Sequence, residues 1–129
     1  KKPVFFINLV PLFDVYSYSY TFNSSKHLFW KKTGKRLTLK EQFENTYYSS
    51  IEYRNKGIDL ILPDEKETLA LIKEFYKFIN GNLKFSKEQN LKQKKFWKTL
   101  KNDPNFKYKH NKIHPRATVS PAYLQKIIF

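Results

Sequence analysis

The sequence predicts a mainly α protein with a short N-terminal β segment, in which a small helical core carries extended basic N- and C-terminal arms. Three observations predict it. Residues 38–57 and 62–81 each carry apolar side chains at helical spacing between helix-starting and helix-stopping residues. Strict period-two alternation of aromatic and small hydroxyl residues, the mark of a strand, runs from Tyr16 to Phe22. Charge is segregated: residues 1–36 hold 7 basic and 1 acidic residue, 37–83 hold 6 and 8, and 84–129 hold 12 and 2. The expected organisation is therefore a β or extended segment with a basic loop (1–36), a helical core (37–103) and a basic C-terminal extension (104–129).

Composition narrows the function classes. The formal net charge is +14 over 129 residues, from 25 Lys and Arg against 11 Asp and Glu. Phe, Tyr, Ile, Asn and Lys make up about half of the chain. Their codons are all A/T-rich, a bias that fits organelle genomes and several protist or bacterial ones. Drift toward lysine has no reason to spare the middle of a chain, so the segregation points to a polyanionic partner, RNA first among them. There is no cysteine, which excludes a disulfide scaffold and any Cys-based zinc site. No apolar run approaches the roughly 20 residues that cross a bilayer, so no transmembrane segment is expected. A signal peptide is not expected either, because no small-residue cleavage site follows the apolar run at 4–10.

In order, Val4 to Val10 is a short apolar run closed by Pro11, a buried strand or an anchor. Tyr16, Tyr18, Tyr20 and Phe22 then alternate with Ser17, Ser19 and Thr21, and Asn23-Ser24-Ser25 is expected to end that strand. Its aromatic face is read either as cover for the core or as a platform for unpaired bases. Lys31, Lys32, Lys35 and Arg36 surround Thr33-Gly34, a tight basic loop suited to phosphates.

Thr38 and Glu41 have capping-box spacing at the head of a helix over 38–57 that is stopped by Asn55-Lys56-Gly57. Leu39, Phe43, Tyr47 and Ile51 form its apolar stripe. Residues 58–62 allow a buried turn or one short strand.

The stretch 62–81 is the best-formed helix. Pro63 fits a first turn, and Asp64, Glu65 and Glu67 complement the helix dipole. Asn80-Gly81 supplies a left-handed stop. Leu69, Ile72, Tyr76 and Ile79 form its central stripe, expected to face the core; Leu71, Phe75 and Phe78 widen it until it needs partners on both flanks.

Ser86 and Gln89 repeat the capping-box spacing before a third helix, which ends at Asp103-Pro104. Leu91, Phe96, Trp97 and Leu100 are its apolar residues, and Lys92, Lys94, Lys95, Lys98 and Lys101 cover most of the rest. An amphipathic surface helix with snorkelling lysines and a helix laid along phosphates are the competing readings.

Residues 105–129 alternate Phe106, Tyr108 and His110 with Lys107, Lys109 and Lys112, with Arg116 further on. Ser120-Pro121 suits the start of a short terminal helix. The segment resembles, as a class, the long basic extensions of ribosomal proteins, without any specific family motif. It is expected to be ordered only on a partner.

No catalytic or metal motif stands out. His110 and His114 have ligand spacing, but Pro115 disfavours the helix that would align them, and no third ligand lies near in sequence. The sequence is therefore read as a non-enzymatic structural subunit of a ribonucleoprotein, a mitochondrial ribosomal protein by expectation, located in the organelle matrix. It is expected to contact ribosomal RNA and neighbouring ribosomal proteins, with no cofactor and no small-molecule substrate. The expected RNA-binding residues are Lys31, Lys32, Lys35, Arg36, Lys92, Lys94, Lys95, Lys98, Lys101, Lys107, Tyr108, Lys109, His110, Lys112 and Arg116. The alternative is an accessory subunit of a non-RNA organellar assembly such as a respiratory complex.

Overall fold

The structure, a computed structural model, describes residues 3–9, 21–104, 106 and 113–129. In chain order its elements are β1 (Val4–Leu9), β2 (Thr21–Ser25), β3 (His27–Trp30), α1 (Leu39–Glu44), α2 (Ser50–Asn55), β4 (Ile58–Ile61), α3 (Glu65–Ile79), α4 (Lys87–Asn102), β5 (Thr118–Val119) and α5 (Pro121–Leu124). With 22% strand beside 44% helix, this is a small mixed α/β domain, and the mainly α expectation is overturned. β1, β2 and β5 form a parallel sheet with β2 in the middle, and β3 pairs antiparallel with β4.

The central strand is the first correction. Asn23-Ser24-Ser25, expected to end a strand, is more than half of β2, and all five of its residues are buried. Asn23 is held there by β5, nearly a hundred residues away, whereas among the described residues Asn23 Oδ1 and Ser24 Oγ have no hydrogen-bond partner. Asn23 Nδ2 donates to the Thr118 carbonyl and to Thr21 Oγ1, each at 3.0 Å, and the Ser120 N–H donates to the Asn23 carbonyl at 2.8 Å. A buried polar group costs little once it is hydrogen-bonded. Phe22 packs edge-on to Phe5 and lies 5.2 Å from Phe78, ring to ring. Its alternation partners Tyr16, Tyr18 and Tyr20 lie outside the described residues.

The second correction concerns the C-terminus. Phe106, Val119, Tyr123, Leu124 and Ile127 join Leu39, Phe43, Phe96 and Leu100 in the larger apolar cluster. From residue 113 onward the chain is core, not an arm. The segment has too little apolar surface to order itself, but it borrows the inner faces of α1 and α4. Its end is tied down where the Leu39 N–H donates to the Ile128 carbonyl at 2.7 Å. Ser120 caps α5 by accepting from the Tyr123 N–H, with Pro121 in the first turn.

The helix over 38–57 is in fact two. The Thr38–Glu41 capping box starts α1, but Asn45 ends it, donating from Nδ2 to the Glu41 carbonyl at 2.8 Å. Ser49 then caps α2. The intervening Thr46-Tyr47-Tyr48 are poor helix formers. Tyr47 turns instead onto Tyr53, ring edge to face at 5.0 Å, within a smaller cluster that includes Leu28, Leu37 and Ile58.

The third correction is the rotation of α3. Its buried residues are Glu67, Leu71 and Phe78, whereas Leu69, Ile72, Tyr76 and Ile79 are 53%, 39%, 62% and 41% exposed. Its C-terminal stop is as expected, but Pro63, expected in the first turn, lies before the cap. Asp64 caps the start, and Gly81 at φ 71° completes a left-handed stop. There the Asn82 N–H reaches the Lys77 carbonyl at 2.7 Å, and the Gly81 N–H reaches that of Phe78 at 3.2 Å.

Leu71→Ala should therefore lower stability by about 2–5 kcal/mol, while Ile72→Asp, on the outer face, should cost less than about 1 kcal/mol. Urea unfolding of the two variants measures the difference. Removing residues 113–129 should abolish the cooperative transition altogether.

Candidate functional site

Two polar clusters stand out, one sealed and one open. The sealed one centres on Glu67, whose carboxylate sits under β3. His27 Nε2 lies 2.9 and 2.8 Å from its two oxygens, and Lys126 Nζ lies 2.7 Å from Oε1. On the other side of the imidazole, Arg36 Nη1 is 2.7 Å from Nδ1. A guanidinium only donates, so Nδ1 accepts and the proton sits on Nε2, pointing at Glu67. His27 is thus held neutral. Burial pushes its pKa below the ordinary 6.5, outweighing the hydrogen bond and charge of Glu67, which act upward; Arg36 and Lys126 add to the lowering.

Tyr123 stacks on His27 with ring centres 5.7 Å apart. Its hydroxyl, bonded by Ser25 and Gln42, is pushed up to about 12 by complete burial. Nearby Glu74 is raised by burial, against hydrogen bonds from Ser120 Oγ and the Ala122 N–H. With His27 only 4% exposed and both ring nitrogens engaged, the cluster is closed to a substrate. Its chemistry is structural: it ties β3, α3 and the C-terminal segment together.

The open cluster lies along α4. Ser86 and Gln89 form the capping box that starts the helix. Phe96 and Leu100 anchor it in the larger cluster, with Trp97 packed at the edge. Gln93 locks it to β5 as a strand neighbour would: Nε2 donates to the Val119 carbonyl at 2.8 Å, and Oε1 accepts from the Val119 N–H at 2.9 Å. The same Oε1 accepts from Trp97 Nε1 at 2.8 Å, which fixes the indole. With those residues turned inward, Lys94, Lys98 and Lys101 fall on one ridge at i, i+4 and i+7. They line an open groove of about 510 Å³ together with Trp97, Asn102, Ile113 and His114. Among the described residues none of the three lysines is in an ion pair.

The other expected contact residues are dispersed. Lys92 pairs with Glu88 at 3.6 Å, and Lys95 lies 4.9 Å over the Phe129 ring. Lys31, Lys32 and Lys35 are exposed on the turn after β3, away from the groove lining. That turn is held against the end of α2 by the Lys31 N–H, which donates to the Gly57 carbonyl at 2.8 Å. Arg36 is spent on His27 and on the Phe29 ring, 4.7 Å away. Arg116 is exposed beside a separate hollow lined by Phe78, Leu83 and Phe85. Lys107, Tyr108, Lys109, His110 and Lys112 lie outside the described residues.

Sequence reasoning missed Gln93, Trp97 and His114 as groove residues. The Gln93–Trp97 spacing of i, i+4 was the available signal, but it gains meaning only once β5 is in place. No known protein family, curated protein or solved structure matches this chain.

Because His27 has a lowered pKa, its contribution to stability is complete above pH 6.5 and is lost as pH falls through the folded-state value. Glu74, raised above its ordinary 4.5, acts oppositely, favouring the fold as acid is added. The diagnostic is therefore a comparison: between pH 7.5 and 5 the native chain should lose melting temperature more steeply than His27→Gln, followed by circular dichroism.

Proposed function

We propose that this chain is a structural RNA-binding subunit of a large ribonucleoprotein, with a mitochondrial ribosome as the particle that its composition fits. The observation that carries the reading is the lysine ridge of α4. Lys94, Lys98 and Lys101 extend over roughly 10 Å at 1.5 Å per residue, long enough to follow a phosphate backbone rather than grip one ion. Trp97 beside them supplies an aromatic surface at the same groove, and stacking on such a surface is tolerant of base identity. The cations on the ridge have no acidic partner among the described residues, so their charge is available to displace counterions from RNA. The exposed lysines of the 31–35 turn add a second, separate set of phosphate contacts. No catalytic constellation is needed for this role; contact with RNA and with protein neighbours is the function.

RNA titrations across ionic strength test it. Affinity should fall steeply with salt. The triple variant Lys94→Ala, Lys98→Ala, Lys101→Ala should bind unrelated RNAs uniformly more weakly, its salt slope reduced by about 1 per lysine removed. A flat salt dependence of the native chain, with co-purification insensitive to ribonuclease, would instead favour a subunit of a protein-only organellar assembly.

A further inference from the structure

We propose that the outer face of α3 is a docking seam for an amphipathic helix of a partner protein, one with an apolar stripe and acidic edges. Leu69, Ile72, Tyr76 and Ile79 stand at spacings of 3, 4 and 3, between 39% and 62% exposed. Leu62, 58% exposed, lies just before the helix, and Glu65 at the first helical position is the one polar residue on the stripe. This is the two-position repeat of a helix–helix seam rather than the broader apolar arc by which a helix beds into a globular core. The broad arc is already used, since Leu71, Phe75 and Phe78 turn toward the domain, with Phe75 stacked on Phe5 at 4.7 Å.

The edges of the seam specify the occupant. Lys66 and Lys73 flank one side, both exposed, with Lys77 behind them; the other side carries Thr68 and Phe75 and no charge. In a paired helix those flanking positions face the partner's flanks, where opposite charge sets partner choice. A second copy of this chain fits poorly. Antiparallel copies would set lysine against lysine, parallel copies would gain no ion pair, and each copy brings a net charge of +14. An anionic membrane fits poorly too, because the arc is narrow and Glu65 lies in it. A helix with Glu or Asp along its edge satisfies both the apolar and the charged parts of the surface. The inference stands apart from the RNA reading, which concerns α4.

The test uses the whole chain and two synthetic helical peptides with the same leucine seam, one edged with Glu and one with Lys. The Glu-edged peptide should bind tighter by roughly tenfold or more. Binding should be lost in Ile72→Asp/Tyr76→Asp while melting and RNA affinity are retained, and the peptide preference should reverse in Lys66→Glu/Lys73→Glu. Failure to bind either peptide, equal binding of both, or binding that survives the Asp substitutions would overturn the proposal. So would self-association in sedimentation, or capture by anionic phospholipid vesicles, if either is abolished by the same Asp substitutions.

Discussion

The fold depends on burying one carboxylate. Glu67 lies on the inner face of α3, and its two partners come from β3 and from the end of the chain, His27 and Lys126. A buried carboxylate without partners is costly, and removing one partner from a buried pair typically costs about 3–5 kcal/mol. The pairing exists only when all three elements are assembled, so it acts as a specification of the fold more than as a source of net stability. Arg36 completes the arrangement by fixing the neutral tautomer of His27. Glu74, two turns further along α3, repeats the device against Ser120 and Ala122.

That constraint sets the rotation of α3 and, through it, the outer surface. With Glu67, Leu71, Glu74 and Phe78 turned inward, the stripe at 69, 72, 76 and 79 has nowhere to go but out. The C-terminal segment, drawn in by Glu67 and Glu74, delivers β5 to the sheet. β5 then holds α4 through Gln93. Locking that face of α4 inward is what leaves Lys94, Lys98 and Lys101 together on the groove. Charge for one partner and apolar surface for another thus fall on different helices for a single structural reason.

Much of the local structure was legible from neighbouring residues alone. The capping boxes at Thr38–Glu41 and Ser86–Gln89, the stop at Asn80-Gly81 and the short helix after Ser120 all form as their spacing dictates. Each is decided within a few residues, where a side chain meets the backbone one turn away. The lysine-rich helix itself was visible for the same reason, but which of its lysines share the groove was decided by the docking of Gln93 on β5.

What only the tertiary structure decided is everything that needs a distant partner. Apolar spacing alone points Leu69, Ile72, Tyr76 and Ile79 of α3 at the core; His27, Lys126 and Ser120, which pair with Glu67 and Glu74, turn that stripe outward. Asn23-Ser24-Ser25 reads as a strand's end until β5 pairs with Asn23, and residues 104–129 read as an arm until α1 and α4 lend the part from 113 onward an apolar wall. Sequence by itself determined several helix caps and where charge accumulates, though not the break at Asn45, because caps and charge are short-range matters of backbone hydrogen bonds and side-chain spacing. The tertiary structure decided which face is inside, because the cost of burying a polar group depends on whether a partner, however remote along the chain, arrives to pair with it.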